Sequence, residues 1–511
     1  MCSKYYLSLF VLLLFSLAAC KKDESAEDSA NGGTLVTDGV VSITGAFTKG
    51  TAEGRTEIGA DDEDLLANST FTSTVRIIFN GSTATVENNV SGVSITTIGA
   101  DVVVSSTVGQ VAYELSGSTT NGAVKIYSDK KFKLKLNDVS IANADGPAIN
   151  IQSGKRAFIE LASGTSNTLV DGTVYATSTE DQKGTFFSEG QLLFSGTGTL
   201  EVTANNKHAI VSDDYIRVTE GTIRVLKAVS DGFHSNDAVY IDGGTLDITA
   251  SSDGIEAEEG QIIINDGDIT VTVGDDGIVA SYETDNTIDP YIVINGGRIQ
   301  ITTTGEGGEG IESKSTMTVN GGDIYIHAVD DAMNAGTAIY INGGNIVAYS
   351  TTNDGIDSNG LLTVTGGRVF AIGARSPEAG FDCDNNPFKI TGGLLIGVGG
   401  ATSTPTASVS SQASAILGSG AASTTYSVLD GDNNEVITFK SPVSFSTLLL
   451  SGSKFGAGKA YKLVSVASVA AAAEFNGIYT GGTFSDPVLL STFSLTGVVT
   501  RIGGSTGPGG R

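Results

Sequence analysis

Short segments in which apolar and polar residues alternate recur along most of the chain. Residues 239–241 read VYI and residues 246–248 read LDI, and the two segments stand on either side of a pair of glycines. Alternation with a period of two directs one face of a strand into a core and the other towards the surface. The hydrophobic pattern therefore predicts many short β-strands rather than helices.

These strands belong to a repeated unit that carries two turn phrases. The first phrase, Asp-Gly or a variant before a bulky apolar residue, begins at Asp231, Asp253, Asp276, Glu309, Asp331 and Asp354. The second phrase, Asx-Gly-Gly or a variant, begins at Asp242, Asn265, Asn295, Asn320, Asn342, Thr365 and Thr391. Most steps between first phrases are 22 or 23 residues, and an insert around residues 283–291 lengthens one step to 33. This period is typical of a β-solenoid, because propeller blades need about twice that length.

The repeat predicts an all-β protein, a right-handed parallel β-helix with about 22–23 residues per coil and a C-terminal β cap. Equivalent residues of successive coils should stack at about 4.8 Å along the axis. Gly supplies the positive φ of a tight corner, and the stacked residues Asn295, Asn320 and Asn342 are expected to hydrogen-bond along their ladder.

Composition and the ends of the repeat divide the chain into six segments. These are a signal peptide (1–19), a flexible acidic linker (20–33), an N-terminal lead-in and cap (34–74), the β-helix (75–400), a C-terminal β cap or small β domain (401–502) and a flexible Gly-rich tail (503–511). The acidic stretch 430–434 lacks the central Gly and the twelfth-position Glu of a calcium loop, so a hairpin turn is predicted there.

The first 20 residues are typical of a bacterial lipoprotein signal. Lys4 precedes the apolar run LSLFVLLLFSLAA, which is too short to span a bilayer comfortably. The run ends at LAAC, which resembles a lipobox, so Cys20 is predicted to carry the lipid anchor. Residues 21–24, KKDE, resemble a signal for the outer face of the outer membrane, and we expect a surface-exposed outer membrane lipoprotein. An ordinary signal peptide followed by a solvated linker is the alternative.

The charge balance narrows the class of partner. The formal net charge is -28, with 57 acidic residues against 29 Lys and Arg. This balance argues against nucleic acid and against contact with anionic membranes other than through the anchor, and it favours cation binding or simple solubility. Cys2 leaves with the signal peptide and Cys20 carries lipid, so Cys383 has no intramolecular disulfide partner. We expect a monomer.

The Asp-Gly phrases also predict a column of acidic side chains. If the apolar residue of each phrase points inward, the next residue points outward, which places His234, Glu256, Val279, Glu312, Asn334, Asp357 and Asp382 in one column. Carboxylates about 4.8 Å apart repel each other by roughly 1 kcal/mol per pair even in water. Ca²⁺ takes six to eight oxygen ligands and suits such a ladder. The candidate ligands are Asp253, Glu256, Asp276, Glu309, Glu312, Asp330, Asp331, Asp354, Asp357 and Asp382.

Two plainer interpretations stay open. The acids could be turn formers and solubilising surface without a metal. The three histidines, His208, His234 and His327, show no zinc spacing, and satisfied or solvated side chains are expected for them.

The phrases DGIEAEEGQIIINDGDITVTV and DGIDSNGLLTVTGGRVFAIG, with LLFSGTGTLEVTANNKHAIVSDDYIRVTEGTIRVL upstream, resemble a known family. It consists of secreted bacterial carbohydrate-binding proteins with a right-handed parallel β-helix akin to pectate lyases, and the similarity runs from about residue 75 to about residue 400. The resemblance implies a carbohydrate-binding domain with calcium sites that binds cellulose or polygalacturonate, without an established lyase activity. It places Asp253, Glu256, Glu309, Glu312, Asp354 and Asp357 in metal-binding positions.

Three functions are compatible with these observations. The first is non-catalytic binding of an acidic plant-type glycan through calcium, which is favoured over cellulose because the chain has no Trp to stack on neutral sugars. The second is a calcium-dependent uronate lyase, for which Lys314 is the candidate base. The third is a structural or adhesive surface rod.

Overall fold

The computed structural model describes residues 37–41, 50–282 and 285–505. Within these ranges the chain forms a parallel β-helix of about 12 turns, which confirms the predicted fold class. Two short 3-10 helices, Asp62–Asp64 and Leu66–Asn68, precede it. No helix among the described residues has the length and apolar character needed to cross a bilayer. The predicted signal peptide, Cys20, the acidic linker and the last residues of the predicted tail lie outside the described residues.

The β-helix has three faces. The first face is a 13-stranded sheet, here called the first sheet, which contains the Asp-Gly phrases. Its first two strands are antiparallel and the others are parallel. The strands are Val93–Ile98, Asp101–Ser106, Val124–Ser128, Ile149–Ile151, Gly184–Ser188, His208–Ser212, Phe233–Ser235, Ile255–Ala257, Ile278–Ala280, Ile311–Ser313, Met333–Ala335, Ile356–Ser358 and Phe381–Asp382.

The second and third sheets stand before and after the Gly pair of each coil. The second sheet contains Ala157–Leu161, Leu192–Ser195, Tyr215–Val218, Ala238–Ile241, Gln261–Ile264, Ile292–Ile294, Thr316–Val319, Ala338–Ile341, Leu361–Val364 and Phe388–Ile390. The third sheet contains Ser166–Val170, Thr199–Thr203, Thr222–Lys227, Thr245–Ala250, Asp268–Val273, Arg298–Thr303, Asp323–Ala328, Asn345–Ser350, Arg368–Ile372 and Leu394–Gly399. All three sheets face one continuous core, which is composed mainly of Ile, Val, Leu and Phe.

Both ends of the helix are covered. At the N-terminal end the covering strands are Ser73–Asn80, Ala84–Glu87, Val111–Thr119 and Phe132–Ala142, and the last of these joins the second and third sheets. At the C-terminal end Ser414–Leu417, Thr447–Ser451 and Val499–Arg501 extend the third sheet. The covered ends remove open strand edges, which would otherwise favour aggregation.

A smaller antiparallel sheet packs against the outside of the third sheet. Its strands are Thr424–Asp430, Glu435–Ser441, Ala460–Val466, Ala473–Phe475, Ile478–Thr480 and Val488–Ser494. A further three-stranded sheet consists of Gly39–Val40, Ser468–Ala470 and Thr483–Ser485. Phe370 and Ile396 of the third sheet share a second apolar core with Phe439 of the small sheet. Residues 430–434 form the predicted hairpin turn, in which the Asp430 carboxylate accepts the backbone N–H of Asn434 at 2.8 Å.

The two turn phrases need glycine for different reasons. The second Gly of the Asx-Gly-Gly phrase has a positive φ, for example 88° at Gly297, so the predicted corner geometry is confirmed. The Gly of the Asp-Gly phrase is instead required by close packing, because a Cβ at Gly254 would lie 2.4 Å from the carbonyl oxygen of Gly277 in the next coil.

The Asx of the second phrase forms the predicted ladder, here called the amide ladder (Asn265, Asn295, Asn320 and Asn342). The Nδ2–H groups of Asn295, Asn320 and Asn342 donate to the Oδ1 atom of the preceding Asn, at 2.8, 2.9 and 2.9 Å. Asn265 donates to Asp242 Oδ1 at 2.7 Å. Each Asn also donates to a backbone carbonyl of residues 50–64, which lie across the successive coils as a strap. The sequence gives no repeat signal for this strap.

Candidate functional site

The predicted column of outward side chains forms on the first sheet. Each short strand directs its leading apolar residue into the core, as Ile255 and Ile356 show with exposures of 0%. The central residues pair in register in the order His234, Glu256, Val279, Glu312, Asn334, Asp357 and Asp382. The register inferred from the Asp-Gly phrases is thereby confirmed.

The Asp or Glu that opens each phrase forms a second column beside the first, and its carboxylates are held by the backbone. Asp253 Oδ1 accepts the backbone N–H of Asp276 at 2.9 Å, and Asp276 Oδ1 accepts that of Glu309 at 2.8 Å. Asp331 Oδ1 accepts the backbone N–H of Asp354 in the same manner at 2.8 Å. One oxygen of each of these three carboxylates is thus fixed between coils. Together the two columns are called the acidic ladder below.

Burial makes the acidic ladder electrostatically unusual. Burial, followed by repulsion from neighbouring carboxylates, raises the pKa values of several of its carboxyl groups well above the ordinary range. The raised pKa values are about 8 for Asp253, about 7 for Asp276, about 10 for Asp331, about 8 for Asp354 and about 7 for Asp357. A buried carboxyl group with such a pKa retains its proton near neutral pH unless a nearby cation favours the charged form.

The donor set fits a hard cation. Burial and the neighbouring Glu312 raise the pKa of Glu309, and its Oε2 atom is buried without a hydrogen-bond partner. Buried oxygens are almost always satisfied in folded proteins, so this atom is suited to a cation or to an ordered water molecule. Carboxylate and amide oxygens are the ligands that Ca²⁺ prefers.

Six of the ten predicted ligands lie in compact groups. Their ligand oxygens lie within 4.8 Å of one another in three sets, Asp231–Asp253–Glu256, Asp253–Asp275–Asp276 and Asp354–Asp357–Asp382. The Asp382 Oδ1 atom also accepts the hydroxyl hydrogen of Ser403 at 2.5 Å, which orients that carboxylate. Asp231 and Asp275 join these sets although the candidate ligands did not include them.

The other four predicted ligands have protein partners. Glu312 forms an ion pair with Lys314. Glu309 accepts a hydrogen bond from Asn334 Nδ2 at 2.9 Å. Asp330 accepts one from Asn353 Nδ2 at 2.6 Å, and Asp331 is held by the backbone of the next coil. Among the described residues, these four join none of the compact groups.

The first sheet also gathers two histidines that sequence spacing did not connect. His208 and His234 stack with ring centroids 4.2 Å apart, and both Nδ1 atoms lie close to Asp231. Burial would lower the pKa of His234, but Asp231, Glu256 and Glu258 outweigh burial and raise that pKa to about 11. Aligning the two successive coils in the sequence would have predicted this pair. Ile210 pairs with Phe233, which brings His208 beside Asp231.

Comparison with known proteins finds matches to part of the chain. The sequence matches the family described as "Carbohydrate-binding domain-containing protein" over residues 98–355 and 308–438. A protein of the same description from Acetivibrio thermocellus is 31% identical over 118 residues, which are 22% of this chain and 41% of that protein. The match thus spans about two fifths of that relative.

A solved structure is also similar to part of the chain. It is titled "Structure of the polysaccharide lyase-like protein from C. thermocellum, Gadolinium derivative", and it shares 29% sequence identity with a TM-score of 0.38. The similarity covers 47% of this chain and 96% of that one. Since the matched residues 98–438 cover more than half of the chain, the protein belongs to the carbohydrate-binding domain-containing family.

Proposed function

We propose that this protein binds an acidic polysaccharide without cleaving it, through calcium ions held by the acidic ladder. Membership of a carbohydrate-binding family supports a polysaccharide ligand. The observation that carries the proposal is the convergence of carboxylates in the group Asp354–Asp357–Asp382, where one oxygen of each residue lies within 4.8 Å of the other two.

The chain's own residues prepare these groups. Asp354 Oδ1 accepts the backbone N–H of Ala379, and the backbone N–H of Cys383 donates to Asp382 Oδ1 at 2.8 Å. These bonds fix the carboxylates before any ligand arrives, so little conformational entropy is lost on binding. A bound Ca²⁺ would neutralise the column and offer further coordination positions to uronate carboxylates.

The environment of Lys314 supports binding rather than lyase chemistry. Burial would lower the pKa of this ammonium group, but the ion pair with Glu312 outweighs burial and raises the pKa. A general base must give up its proton near neutral pH, whereas a raised pKa keeps Lys314 protonated. We therefore assign no catalytic role to Lys314.

The proposal is tested by calorimetric titration of polygalacturonate into the protein, with calcium and with EDTA. We expect binding in calcium, no binding in EDTA and no unsaturated product in either buffer. The double variant Asp354→Asn/Asp357→Asn should lose most of the affinity. The control Asp247→Asn removes an exposed acid from the third sheet and should bind as wild type. Equal binding with and without EDTA would disprove the calcium-dependent mechanism.

We also propose that the protein is an outer membrane lipoprotein anchored through Cys20. The support is the sequence LAAC at residues 17–20, since residues 1–36 lie outside the described part. Expression of the full chain and of Cys20→Ser, followed by metabolic labelling with palmitate and membrane fractionation, tests this. Label and membrane association should both disappear in the variant, and a labelled variant would contradict the assignment.

A further inference from the structure

The N-terminal part of the acidic ladder differs chemically from the rest, because two imidazoles replace carboxylates there. His234 occupies the central position of its strand and pairs with Glu256 of the next coil. His208 occupies the position that an Asp holds in later coils, because the backbone N–H of Asp231 donates to His208 Nδ1 at 3.4 Å. The backbone N–H of Asp276 donates to Asp253 Oδ1 in the corresponding way. The first column therefore begins with the imidazole of His234, and the second column begins with that of His208.

The donor atoms of this cluster converge on one point. Asp231 Oδ2 lies 2.6 Å from His208 Nδ1 and 3.1 Å from His234 Nδ1. Glu256 Oε2 lies 2.8 Å from the same His234 nitrogen. These separations are hydrogen-bond lengths, and the edge of a tetrahedral zinc site with N and O ligands is about 3.3 Å. The ligand atoms of His208, Asp231 and His234 all lie within 4.8 Å of one another, whereas Glu256 is grouped with Asp231 and Asp253.

The second nitrogen of His234 is also arranged as in metal sites. Its Nε2 atom lies 3.3 Å from Glu258 Oε2. Metal-binding histidines almost always donate their other N–H to a carboxylate or carbonyl, which fixes the tautomer and the ring orientation. With Nε2–H donated to Glu258, Nδ1 is the nitrogen that a bound ion would coordinate in place of its proton.

The surroundings allow an ion to enter and to remain. Asp231 is 3% exposed and His234 is 8% exposed, so a bound ion would be largely shielded from water. The cluster nevertheless lines a groove of about 420 Å³ that also contains Lys183 and Lys207. A coordination position that the protein does not fill would face this groove.

From this geometry we infer a transition-metal site formed by His208, Asp231 and His234, with Glu258 as the orienting carboxylate and a fourth position open to the groove. Two imidazoles and a carboxylate suit a borderline divalent ion such as Zn²⁺, whereas Ca²⁺ prefers oxygen alone. The site shares Asp231 with the group Asp231–Asp253–Glu256, so one ion at a time would use that carboxylate. It has no residue in common with Asp253–Asp275–Asp276 or Asp354–Asp357–Asp382, and it does not depend on glycan binding.

The test is equilibrium dialysis of the full-length protein against Zn²⁺ with Ca²⁺ in large excess, so that oxygen-only sites do not report. We expect one Zn²⁺ per chain, and Co²⁺ in its place should give the intense visible absorption of a tetrahedral site. His208→Asn and His234→Asn should each weaken Zn²⁺ binding at least about 100-fold, and Glu258→Gln should weaken it about 10- to 100-fold. The control His327→Asn changes the remaining histidine, which stacks on Tyr349, and should bind zinc as wild type.

Two outcomes would overturn the assignment. One is an absence of zinc binding in the wild-type protein under excess calcium, which would leave His234 as a buried imidazolium paired with its carboxylates. The other is unchanged zinc affinity in His208→Asn. If the histidine variants fail to fold, Glu258→Gln decides alone, since unchanged affinity there also overturns the site.

Discussion

The amide ladder and the acidic ladder repeat once per coil on the same scaffold, yet their chemistry has opposite consequences. An Asn side chain is both donor and acceptor, so Asn320 can donate to Asn295 and accept from Asn342 without help. An ionised carboxylate is an acceptor alone, so stacked Asp and Glu residues cannot satisfy one another. The first ladder therefore completes its hydrogen bonds within the protein, and the second requires protons or cations from outside.

This difference separates a structural role from a binding role. The remaining Nδ2–H of each Asn is used by the strap, as Asn342 shows by donating to the Glu53 carbonyl at 2.7 Å. The acidic ladder has an unsatisfied oxygen at Glu309 and raised pKa values along its length. Stacking identical residues thus stabilises a β-helix by itself only when the side chain can both give and receive a hydrogen bond.

The largest expected effect comes from removing calcium, which should act on the acidic ladder alone. A site whose ligand is present at 100 times its dissociation constant contributes about 2.7 kcal/mol to folding. Two such groups would contribute about 5 kcal/mol, so EDTA should lower the Tm clearly in scanning calorimetry. Magnesium at the same concentration serves as the control and should restore less. An unchanged Tm in EDTA would mean that the acidic ladder is stable without a cation.

Breaking the amide ladder should lower the free energy of unfolding nearly as much as calcium removal does. This loss should be the same with and without calcium. Asn342→Ala removes bonds to Asn320, Thr365 and Glu53 at a position that is 1% exposed. Each orphaned buried group costs about 1–3 kcal/mol, so we expect about 3–4 kcal/mol from urea unfolding in either calcium or EDTA. The control Asn286→Ala lies in the exposed insert and should change stability by less than about 0.5 kcal/mol. A calcium-dependent loss in Asn342→Ala would contradict the separation of the two ladders.

Converting one acidic position into an amide should affect stability differently in EDTA and in calcium. In EDTA, Asp354→Asn removes a buried carboxyl that is repelled by its neighbours, so stability should be unchanged or slightly higher. In calcium, the same variant should lose about 2–3 kcal/mol because one group no longer binds. Chemical denaturation in both buffers measures the two values. Identical effects in both would place Asp354 outside any calcium site.

The smallest change in stability is expected from a substitution at the edge of the strap. Lys389 forms an ion pair with Glu53, and both side chains are about one third exposed. Partly exposed ion pairs contribute about 0–1 kcal/mol and are screened by salt. Lys389→Met should therefore cost about 0.5 kcal/mol at low salt and less at high salt. A loss above about 2 kcal/mol would show that the strap depends on this charge rather than on the amide ladder.

Periodicity in the sequence predicts the features that repeat with the coil. The phrases at Asp253 and Asp354 were sufficient to place both columns in register, and Asn295 and Asn320 were sufficient for the amide ladder. Lys314 stands two residues after Glu312, so spacing also indicates the ion pair between them. His208 belongs to a degenerate coil, and its place beside Asp231 follows once that coil is aligned with the next. The strap, in contrast, has no repeat signal. Non-periodic features of this kind depend on contacts between distant residues, which spacing alone does not report.

The strap changes how a repeat protein of this kind unfolds. In an ordinary solenoid each coil contacts its neighbours alone, so terminal coils can fray independently and stability is roughly a sum over adjacent pairs. Here the Gly50 amide donates to the Thr365 carbonyl, while Arg156 near the other end bonds Asp61 and Asp64 of the same short segment. Coils separated by some 200 residues are therefore coupled through one continuous peptide. Local opening anywhere along the amide ladder must also detach the strap, so amide hydrogen exchange in these coils should approach a single cooperative event.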